Sequence, residues 1–252
     1  MNSFIQFTAC TGYSKILEIT LNANAHLFKK IIIVTKEDDI DTINLCKRFE
    51  NVKTLFHDFR LPEDFKMPLN AYDLKRLKEG TLHPSKGTPP VNHFNRGGAL
   101  QIAQEYIYSN FPNDFYLHLD ADIILPSNFS EVTSSHQLKE NVLYGVRERR
   151  DYASMNDFNL RKNYRFYKKS RGFFGFFQLY HRKDVFYDHW IHTGNSDGWF
   201  RDKFFKMSNK SRCINGSIFF DKNDNLRLEN LPLVVHHLGA PRADLNGIQF
   251  EF

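Results

Sequence analysis

The sequence predicts an α/β domain whose mainly parallel central sheet is flanked by helices. Strand and helix patterns alternate through the first half of the chain, and its buried strands are separated by segments with helical period. The 252 residues fit one large α/β domain or two small ones, and they are enough for a core. Strands joined through helices imply right-handed crossovers, and such sheets bind ligands beyond the carboxyl ends of their strands.

The elements of the first half follow from the spacing of apolar residues. Phe4 to Ala9 and "NVKTLFHDF" have strand patterns, and "KKIIIVTKEDD" is a buried strand that runs into acids. Helical periods cover Tyr13 to Ala25, Asp38 to Phe49 and "NRGGALQIAQEYIYSN", and "DFYLHLDADI" is again a strand. Between them, residues 60–93 form a long irregular insertion because of Pro62, Pro68, Pro84, Pro89 and Pro90. An insertion of this length is usually functional or mobile.

The second half has a less regular pattern. "NVLYGV", "GFFGFFQLYH" and "LPLVVHHLG" are predicted strands, and "SDGWFRDKFFKM" has helical character. Residues 147–171 are basic and aromatic without a clear period. No internal repeat or low-complexity tract interrupts the chain, so a single domain is expected.

Composition and charge limit the type of ligand and the cellular compartment that can be expected. The net charge of +5 and the pI near 9.0 suggest an anionic ligand or partner. The three cysteines, Cys10, Cys46 and Cys213, are scattered, which argues against a disulfide framework or a zinc site. No window approaches the roughly 18 apolar residues of a membrane span, and the first residues lack a signal-peptide pattern. We therefore expect a soluble protein of a reducing, cytoplasmic compartment without a transmembrane segment.

The stretch "HLDADIILP", residues 118–126, carries the sharpest chemical signal. Asp120 and Asp122 are two apart, so in a strand their carboxylates point to the same side at the end where ligands bind. Two such oxygen donors suit a hard divalent cation such as Mg²⁺ or Mn²⁺. The spacing also fits a capped turn before Pro126, with Asp122 accepting from nearby amides. The spacing alone leaves both interpretations open.

The order of motifs around this stretch resembles the GT-A glycosyltransferases, most closely the inverting family 2 type. That family carries Asp-x-Asp at this place, often as "LDAD" with a proline shortly after. The motifs here are "TACTGY", "FNRGGA", "LDADIILP", "GNSDGWFRDKF" and "VVHHLG", and the resemblance spans roughly residues 4–240. It implies a Rossmann-like fold, with a nucleotide-sugar-binding half at residues 1–125 and an acceptor-binding half at residues 126–252.

The function implied by the resemblance is a metal-dependent glycosyltransferase. Such a hexosyl- or pentosyltransferase moves a sugar from a nucleotide-diphosphate donor, most commonly a UDP-sugar, to an acceptor hydroxyl with inversion. Its cofactor is Mn²⁺ or Mg²⁺. A different class stays open: a non-catalytic nucleotide- or nucleic-acid-binding module on the same fold.

The resemblance implies a set of donor-binding residues. They are Thr8 and Tyr13 in the first turn, Asp38 or Asp39 after the second strand, Asn95, Arg96 and Gly97 at a helix start, and Asp120, Ala121 and Asp122. Helix N-termini attract phosphates, and Arg96 can add a charge-assisted bond. The alternatives are an ordinary strand-to-helix turn, and helix caps at Asp38, Asp39 and Asn95.

The resemblance also implies the metal ligands. Asp122 would contact the metal directly, while Asp120 leans toward the ribose or the sugar. A late histidine before x-Gly completes the metal shell in many members, and His237 fits that spacing with His236 beside it. Adjacent strand residues face opposite sides, so only one of the two reaches the metal. A satisfied core histidine is the alternative.

Catalysis by the inverting type needs a general base. Asp197 matches the acid of that family and Trp199 the aromatic that follows, although Ser196 stands where a first acid is usual. Asp197 or Ser196 would equally cap the next helix. Gly172 and Phe173 in "GFFGF" would form the floor of the site near the donor sugar and the acceptor. The alternative is that the two glycines of this stretch mark a bulge in a strand.

Residues 147–171 suggest the nature of the acceptor. Cations and aromatics are interleaved there, with Lys168, Lys169 and Arg171 at the end of the segment. This mixture suits phosphate backbones and stacked bases, which predicts a polyanionic acceptor: a modified DNA base, or a phosphate-bearing lipid or glycan. A solvated loop, or one that closes over the donor diphosphate, explains it as well. The sequence does not identify the donor sugar, its nucleotide, the acceptor or the oligomeric state.

Overall fold

A computed structural model describes residues 3–60, 95–169, 175–187, 200–201, 203–204, 220–221 and 226–239 of the chain. Most of the proline-containing insertion lies outside these ranges, as do five predicted site residues: Arg171, Gly172, Phe173, Asp197 and Trp199.

The large sheet has eight strands in the order β10-β11-β6-β9-β4-β1-β2-β3. Their bounds are β1 Phe4–Ala9, β2 Lys30–Thr35, β3 Val52–Phe56, β4 Phe115–Leu119, β6 Val142–Gly145, β9 Phe177–Tyr180, β10 Phe220–Asp221 and β11 Leu226–Asn230. Strands β4, β1, β2 and β3 are mutually parallel, and β6 and β11 run the same way. Strands β9 and β10 run against them. The predicted mainly parallel sheet is confirmed.

Helices cover both faces of this sheet. They are α1 Ser14–Asn24, extended by a 3₁₀ turn at Ala25–Leu27, α2 Ile40–Cys46, α3 Arg96–Asn110 and α4 Phe129–Ser135. A further helix, α5 Met155–Leu160, packs against the second sheet described below. Successive side chains of β2 point to opposite faces, so Ile31 and Ile33 join one core cluster and Ile32 and Val34 the other. The first cluster also holds apolar residues of α1, α2 and α4, and the second those of α3. The continuous apolar run of β2 is thus buried on both faces, as expected of a central parallel strand.

A second sheet of four strands, in the order β5-β12-β7-β8, stands beside the large one. Its strands are β5 Ile123–Ile124, β7 Glu148–Tyr152, β8 Arg165–Lys168 and β12 Val234–Leu238. Of the strand pairs that the described residues form in this sheet, only β12–β7 is parallel. A small core of Ile16, Ile124, Tyr152, Phe158 and Leu238 joins this sheet to α1.

The sequence pattern missed most of this second sheet. Residues 147–171 had no clear period, yet their described part contains β7, α5 and β8. The reason is that arginines occupy positions that pack: the Arg149 guanidinium lies 5.1 Å from the Tyr167 ring centre and the Arg165 guanidinium 4.7 Å from it. Long cationic side chains can bury their stems and stack on rings, so an apolar period does not mark such strands.

None of the helices in the described part of the chain combines the length and the apolar character that crossing a membrane requires.

Candidate active site

The Asp120–Asp122 stretch forms a turn between the two sheets. Strand β4 ends at Leu119, the Ile123 amide donates to the Asp120 carbonyl at 3.3 Å, and β5 follows directly. The prediction that both aspartates share one face of a strand is therefore wrong in its detail, because the chain leaves the extended conformation at this point. Asp120 keeps its place near His118, 3.4 Å away, while Asp122 turns toward His237. The turn lies at the carboxyl end of a strand in the middle of the large sheet, where ligands of such sheets bind.

Helix α1 holds this turn through two polar side chains one helical turn apart. The Thr20 hydroxyl donates to the Ala121 carbonyl at 2.7 Å. The Asn24 amide donates to the Ile123 carbonyl at 2.8 Å and accepts from the Leu125 amide at 3.0 Å. Both side chains are buried, so these bonds fix the backbone around Asp122 without access to water.

Arg96 is buried and forms an ion pair with Asp120. Its guanidinium also lies 2.9 Å from Nε2 of His118, whose Nδ1 is 2.9 Å from the Tyr187 hydroxyl. Burial alone would raise the pKa of Asp120, but Arg96 and His118 hold it well below its usual range. Arg96, predicted to contact phosphate, is directed at an aspartate that stays ionised.

Asp122, His237 and Asp151 form a row. Oδ2 of Asp122 is 3.4 Å from Nε2 of His237, and Nδ1 of the same ring is 3.2 Å from Oδ1 of Asp151. Burial opposes protonation of His237, but the two carboxylates more than compensate and raise its pKa to about 9. The imidazole is consequently a cation at neutral pH in the absence of a competing metal.

The second sheet explains why these residues meet. In the strand register, His237 on β12 is paired with Ile123 on β5 and with Asp151 on β7. His236 faces the other way, with ring centres 5.7 Å from Tyr152 and 5.8 Å from Phe158. Burial, followed by the charges of Arg161 and Arg150, lowers the pKa of His236 to about 4. The structure therefore brings His237, and not His236, to Asp122.

The residues at the turn fit a divalent cation whose remaining ligands are supplied by water and by substrate oxygens. Asp122 and His237 offer one carboxylate and one imidazole close together, and the carboxylate behind Nδ1 of His237 is usual for a metal-binding histidine. Among the described residues, no group of three or more His, Cys, Asp or Glu side chains could hold a metal ion by itself. Mg²⁺ sites of enzymes often need only one or two protein ligands beside phosphate oxygens and water.

The first turn, after β1, lies beside these carboxylates. Gly12 has a φ of +66°, a left-handed conformation that favours glycine. Burial, then the charge of Asp122, raise the pKa of Tyr13 well above its usual value, and Tyr13 packs against the same core cluster as Ala121. Thr8, by contrast, is buried within β1 at 1% exposure. Thr8 follows the Phe7–His118 pair of the register, so β1 carries it to the end of the sheet at which Asp120 lies.

Two predicted donor-binding positions serve as helix caps. Asp39 accepts from the Thr42 amide at 3.2 Å, and its other oxygen accepts from the Gly12 amide at 2.7 Å and the Thr35 hydroxyl at 2.9 Å. Asn95 accepts from the Gly98 amide at 2.9 Å. Both are the structural alternatives that the sequence allowed. Asp38 is exposed in the preceding turn, and Gly97 is buried in the first turn of α3.

The basic segment is engaged with itself over much of its length. Arg150 lies over the Tyr164 ring at 4.9 Å, and Lys168 forms an ion pair with Glu148. Lys169 is exposed after β8, and Tyr164 and Phe166 remain 39% and 48% exposed. The interleaving of cations and aromatics thus has a structural use in the second sheet.

Several residues of the site escaped sequence reasoning. His118 and Tyr187 support Arg96, Thr20 and Asn24 hold the turn, and Asp151 backs His237. Asp151 was visible only as an acid within the arginine-rich "RERRDY", which carried no strand signal. One signal in the sequence could have indicated the contact between α1 and the turn. Thr20 and Asn24 are polar residues on the inward side of an amphipathic helix.

Neither a protein-family model nor a curated protein matches this sequence at a significant level. Solved structures with a similar course of the chain include three bacterial proteins.

The 4-diphosphocytidyl-2C-methyl-D-erythritol synthase of Anaerococcus prevotii is 12% identical, with 91% of this chain and 89% of that chain covered and a TM-score of 0.39. A putative glucose-1-phosphate thymidylyltransferase of Bacillus anthracis, solved with sucrose, is 10% identical, with both chains fully covered (100%) and a TM-score of 0.42. HddC of Yersinia pseudotuberculosis is 10% identical, with 96% and 95% covered and a TM-score of 0.40.

Proposed function

We propose that this chain is a metal-dependent transferase that uses a nucleotide sugar, and specifically a glycosyltransferase. The observation that carries the proposal is the pairing of Asp122 with His237 in a turn at the carboxyl end of β4, with a second ionised carboxylate, Asp120, beside it. A turn of this kind at the end of a central parallel strand suits a ligand that brings phosphate oxygens to a cation.

The proposed division of labour follows from the partners of each carboxylate. Asp122 and His237 would hold Mn²⁺ or Mg²⁺ together with the donor diphosphate. Asp120 is neutralised by Arg96 and is one third exposed, so it can accept hydrogen bonds from ribose or sugar hydroxyls. Such an arrangement supports donor binding without placing two uncompensated negative charges against the diphosphate.

The bound cation would supply charge neutralisation of the diphosphate as it leaves. The Gly12–Tyr13 turn would let the donor approach the backbone closely and would line the nucleoside side of the site. Donor contacts by Thr8, Asp38, Asp39, Asn95, Gly97 and Ala121 stay predictions. So does general-base catalysis by Asp197, which would take the acceptor proton and give inversion.

The proposed acceptor is inferred from the charge of residues 159–169. A polyanion, such as DNA with a modified base or a phosphate-bearing lipid or glycan, would use the exposed cations that flank β8. Residues 159–169 contain five cations and no acid, which favours an anionic partner, although Lys168 already pairs with Glu148. Gly172, Phe173, Trp199 and Arg171 are predicted to line the acceptor side. Binding to a DNA duplex should weaken with salt and with Lys168→Ala and Lys169→Ala; binding indifferent to both would exclude this interface.

The donor is best identified by a thermal-shift screen of nucleotide sugars with and without Mn²⁺. A specific donor should raise the melting temperature with Mn²⁺ and lose that effect in excess chelator, because only the folded state binds it. Slow metal-dependent hydrolysis of the same donor should then be measurable and should disappear in Asp122→Ala. Hydrolysis that persists in this variant or with chelator would contradict the proposed metal role.

The non-catalytic alternative predicts a different result in the same assays. A binding module would show the thermal shift without any hydrolysis or sugar transfer. An Asp197→Asn variant separates the steps further: it should bind donor as the parent does but transfer sugar far more slowly. Transfer at the parental rate would eliminate Asp197 as the base.

A further inference from the structure

We propose that Asp151, held in place by Arg149, is a positioning residue that orients the His237 ring so that its Nε2 faces Asp122. The inference rests on the proposed function in one respect, namely that His237 and Asp122 share a cation. The orientation of the ring itself is a property of the protein alone and can be tested without metal.

The geometry supports this role through the strand register. His237 and Asp151 are direct partners on the parallel strands β12 and β7, and Nδ1 of the ring lies 3.2 Å from Oδ1 of the carboxylate. The Asp151 side chain is only 1% exposed, so solvent does not compete for that oxygen. This is an ion-pair contact at Nδ1, and it leaves Nε2 on the opposite side of the ring, where Asp122 lies 3.4 Å away.

Asp151 is itself fixed by a two-point contact. Nε of Arg149 is 2.9 Å from Oδ1, and Nη2 donates to Oδ2 at 3.0 Å. The guanidinium lies over the rings of Tyr167 and Phe176, at 5.1 and 5.5 Å from their centres. Phe176 in turn stacks on His237, with ring planes 14° apart. The carboxylate, the guanidinium and the aromatic rings therefore restrict the imidazole in both position and plane.

The second sheet assembles the residues of this arrangement. Its strands β5, β12 and β7 bring together a residue from the Asp120–Asp122 turn, the histidine and the supporting acid, although these come from three distant parts of the chain. Removing the acid should leave the ligands present but poorly oriented, and such outer-shell changes typically weaken metal affinity about 10–100-fold.

The test compares Asp151→Asn with Asp157→Asn, a matched control on the same segment. Asp157 bonds to Ser154 and Asn163 and is not among the contacts of His237. In metal-free protein, the Nδ1 proton of His237, assigned by its loss in His237→Gln, should exchange slowly with water in the parent and the control. It should exchange faster and move upfield in Asp151→Asn. An unchanged Nδ1 signal in the folded Asp151→Asn protein would overturn the proposal.

Mn²⁺ titration in the presence of UDP is the second measurement. Asp151→Asn should bind Mn²⁺ about 10–100-fold more weakly than the parent, and Asp157→Asn should bind it equally well. Parental affinity in a folded Asp151→Asn protein contradicts the positioning role. A parent that binds no Mn²⁺ refutes the metal part of the proposed function instead, and the proton-exchange experiment still decides on Asp151.

A folding defect can be separated from a loss of orientation. Asp151→Asn leaves the Arg149 charge without its carboxylate, so the pair Arg149→Gln and Asp151→Asn is made as well, which removes both charges together. The paired variant should fold and still show the fast-exchanging Nδ1 proton. A slowly exchanging proton in this variant would also overturn the proposal.

Discussion

Oδ2 of Asp122 lies 3.4 Å from Nε2 of His237, across the boundary between the two sheets. One residue ends a turn after the central strand β4, and the other belongs to the last described strand, β12. This contact joins the nucleotide-side half predicted for residues 1–125 to the half predicted for residues 126–252. It is the centre of the proposed cation site.

The two histidines should differ sharply in their effect on metal binding. His237→Gln and Asp122→Asn should each weaken Mn²⁺ binding in the presence of UDP by at least about 100-fold, beyond the usual cost of an outer-shell change. His236→Gln should leave it unchanged, because His236 lies against Tyr152 and Phe158. Isothermal titration measures all three. Equal losses in the two histidine variants would mean that the ring orientations are not those described.

Asp120 and Arg96 should be energetically coupled. Arg96→Met leaves Asp120 without its buried partner, which should lower the free energy of unfolding by about 1–3 kcal/mol. Asp120→Asn should cost less in the presence of Met at position 96 than in the parent. Urea unfolding of the two single variants and the double variant gives the coupling energy, expected at about 0.5–3 kcal/mol in favour of the pair. A coupling near zero would argue against the ion pair.

Asn24 should be a stability residue of the turn. Asn24→Ala removes one donor and one acceptor from the backbone at Ile123 and Leu125, which are themselves buried. Two unsatisfied backbone groups should lower the free energy of unfolding by about 2–4 kcal/mol. Asn44→Ala, at an exposed position on α2, is the control and should change it by no more than about 0.5 kcal/mol. A similar small effect of both changes would show that Asn24 does not hold the turn.

Asp39 should make stability depend on pH in the acid range. Burial alone would raise its pKa, but hydrogen bonds from Gly12, Thr42 and Thr35 lower it below the ordinary value. A carboxyl whose folded pKa is depressed contributes stability above its unfolded pKa, about 4, and that contribution is lost as the pH falls through the folded value.

The Asp39→Asn substitution keeps a residue that caps helices well, but its amide side chain cannot ionise. The difference in melting temperature between the parent and Asp39→Asn should therefore shrink steadily as the pH falls below about 4. Asp41→Asn, an exposed acid in the first turn of the same helix, serves as the comparison. A parent–variant difference that is constant from neutral to acid pH would show that the Asp39 carboxylate gains nothing from its three donors.

Local pattern predicted some elements well and others not at all. The helix that starts after Asn95 and the buried strands β1, β2 and β4 were expected. A helix cap and a period of apolar residues are both signals that neighbouring residues in the sequence carry. The strands β7 and β8 were missed, since arginines and lysines fill them and their packing partners are rings elsewhere in the chain. The site shows the same contrast: Asp122 was recognisable and Asp151 was not.

The sequence by itself determined the α/β class, the place of the aspartate pair at the carboxyl end of a central strand, and the rule that only one of His236 and His237 could face it. These features depend on neighbours in the chain and on the alternation of a strand. The tertiary structure decided that the histidine is His237, that Arg96 pairs with Asp120 and that Asp151 backs the ring. Each of these depends on which strands become neighbours, in particular on β12 lying between β5 and β7, and pairings between distant segments leave no periodic trace in the sequence.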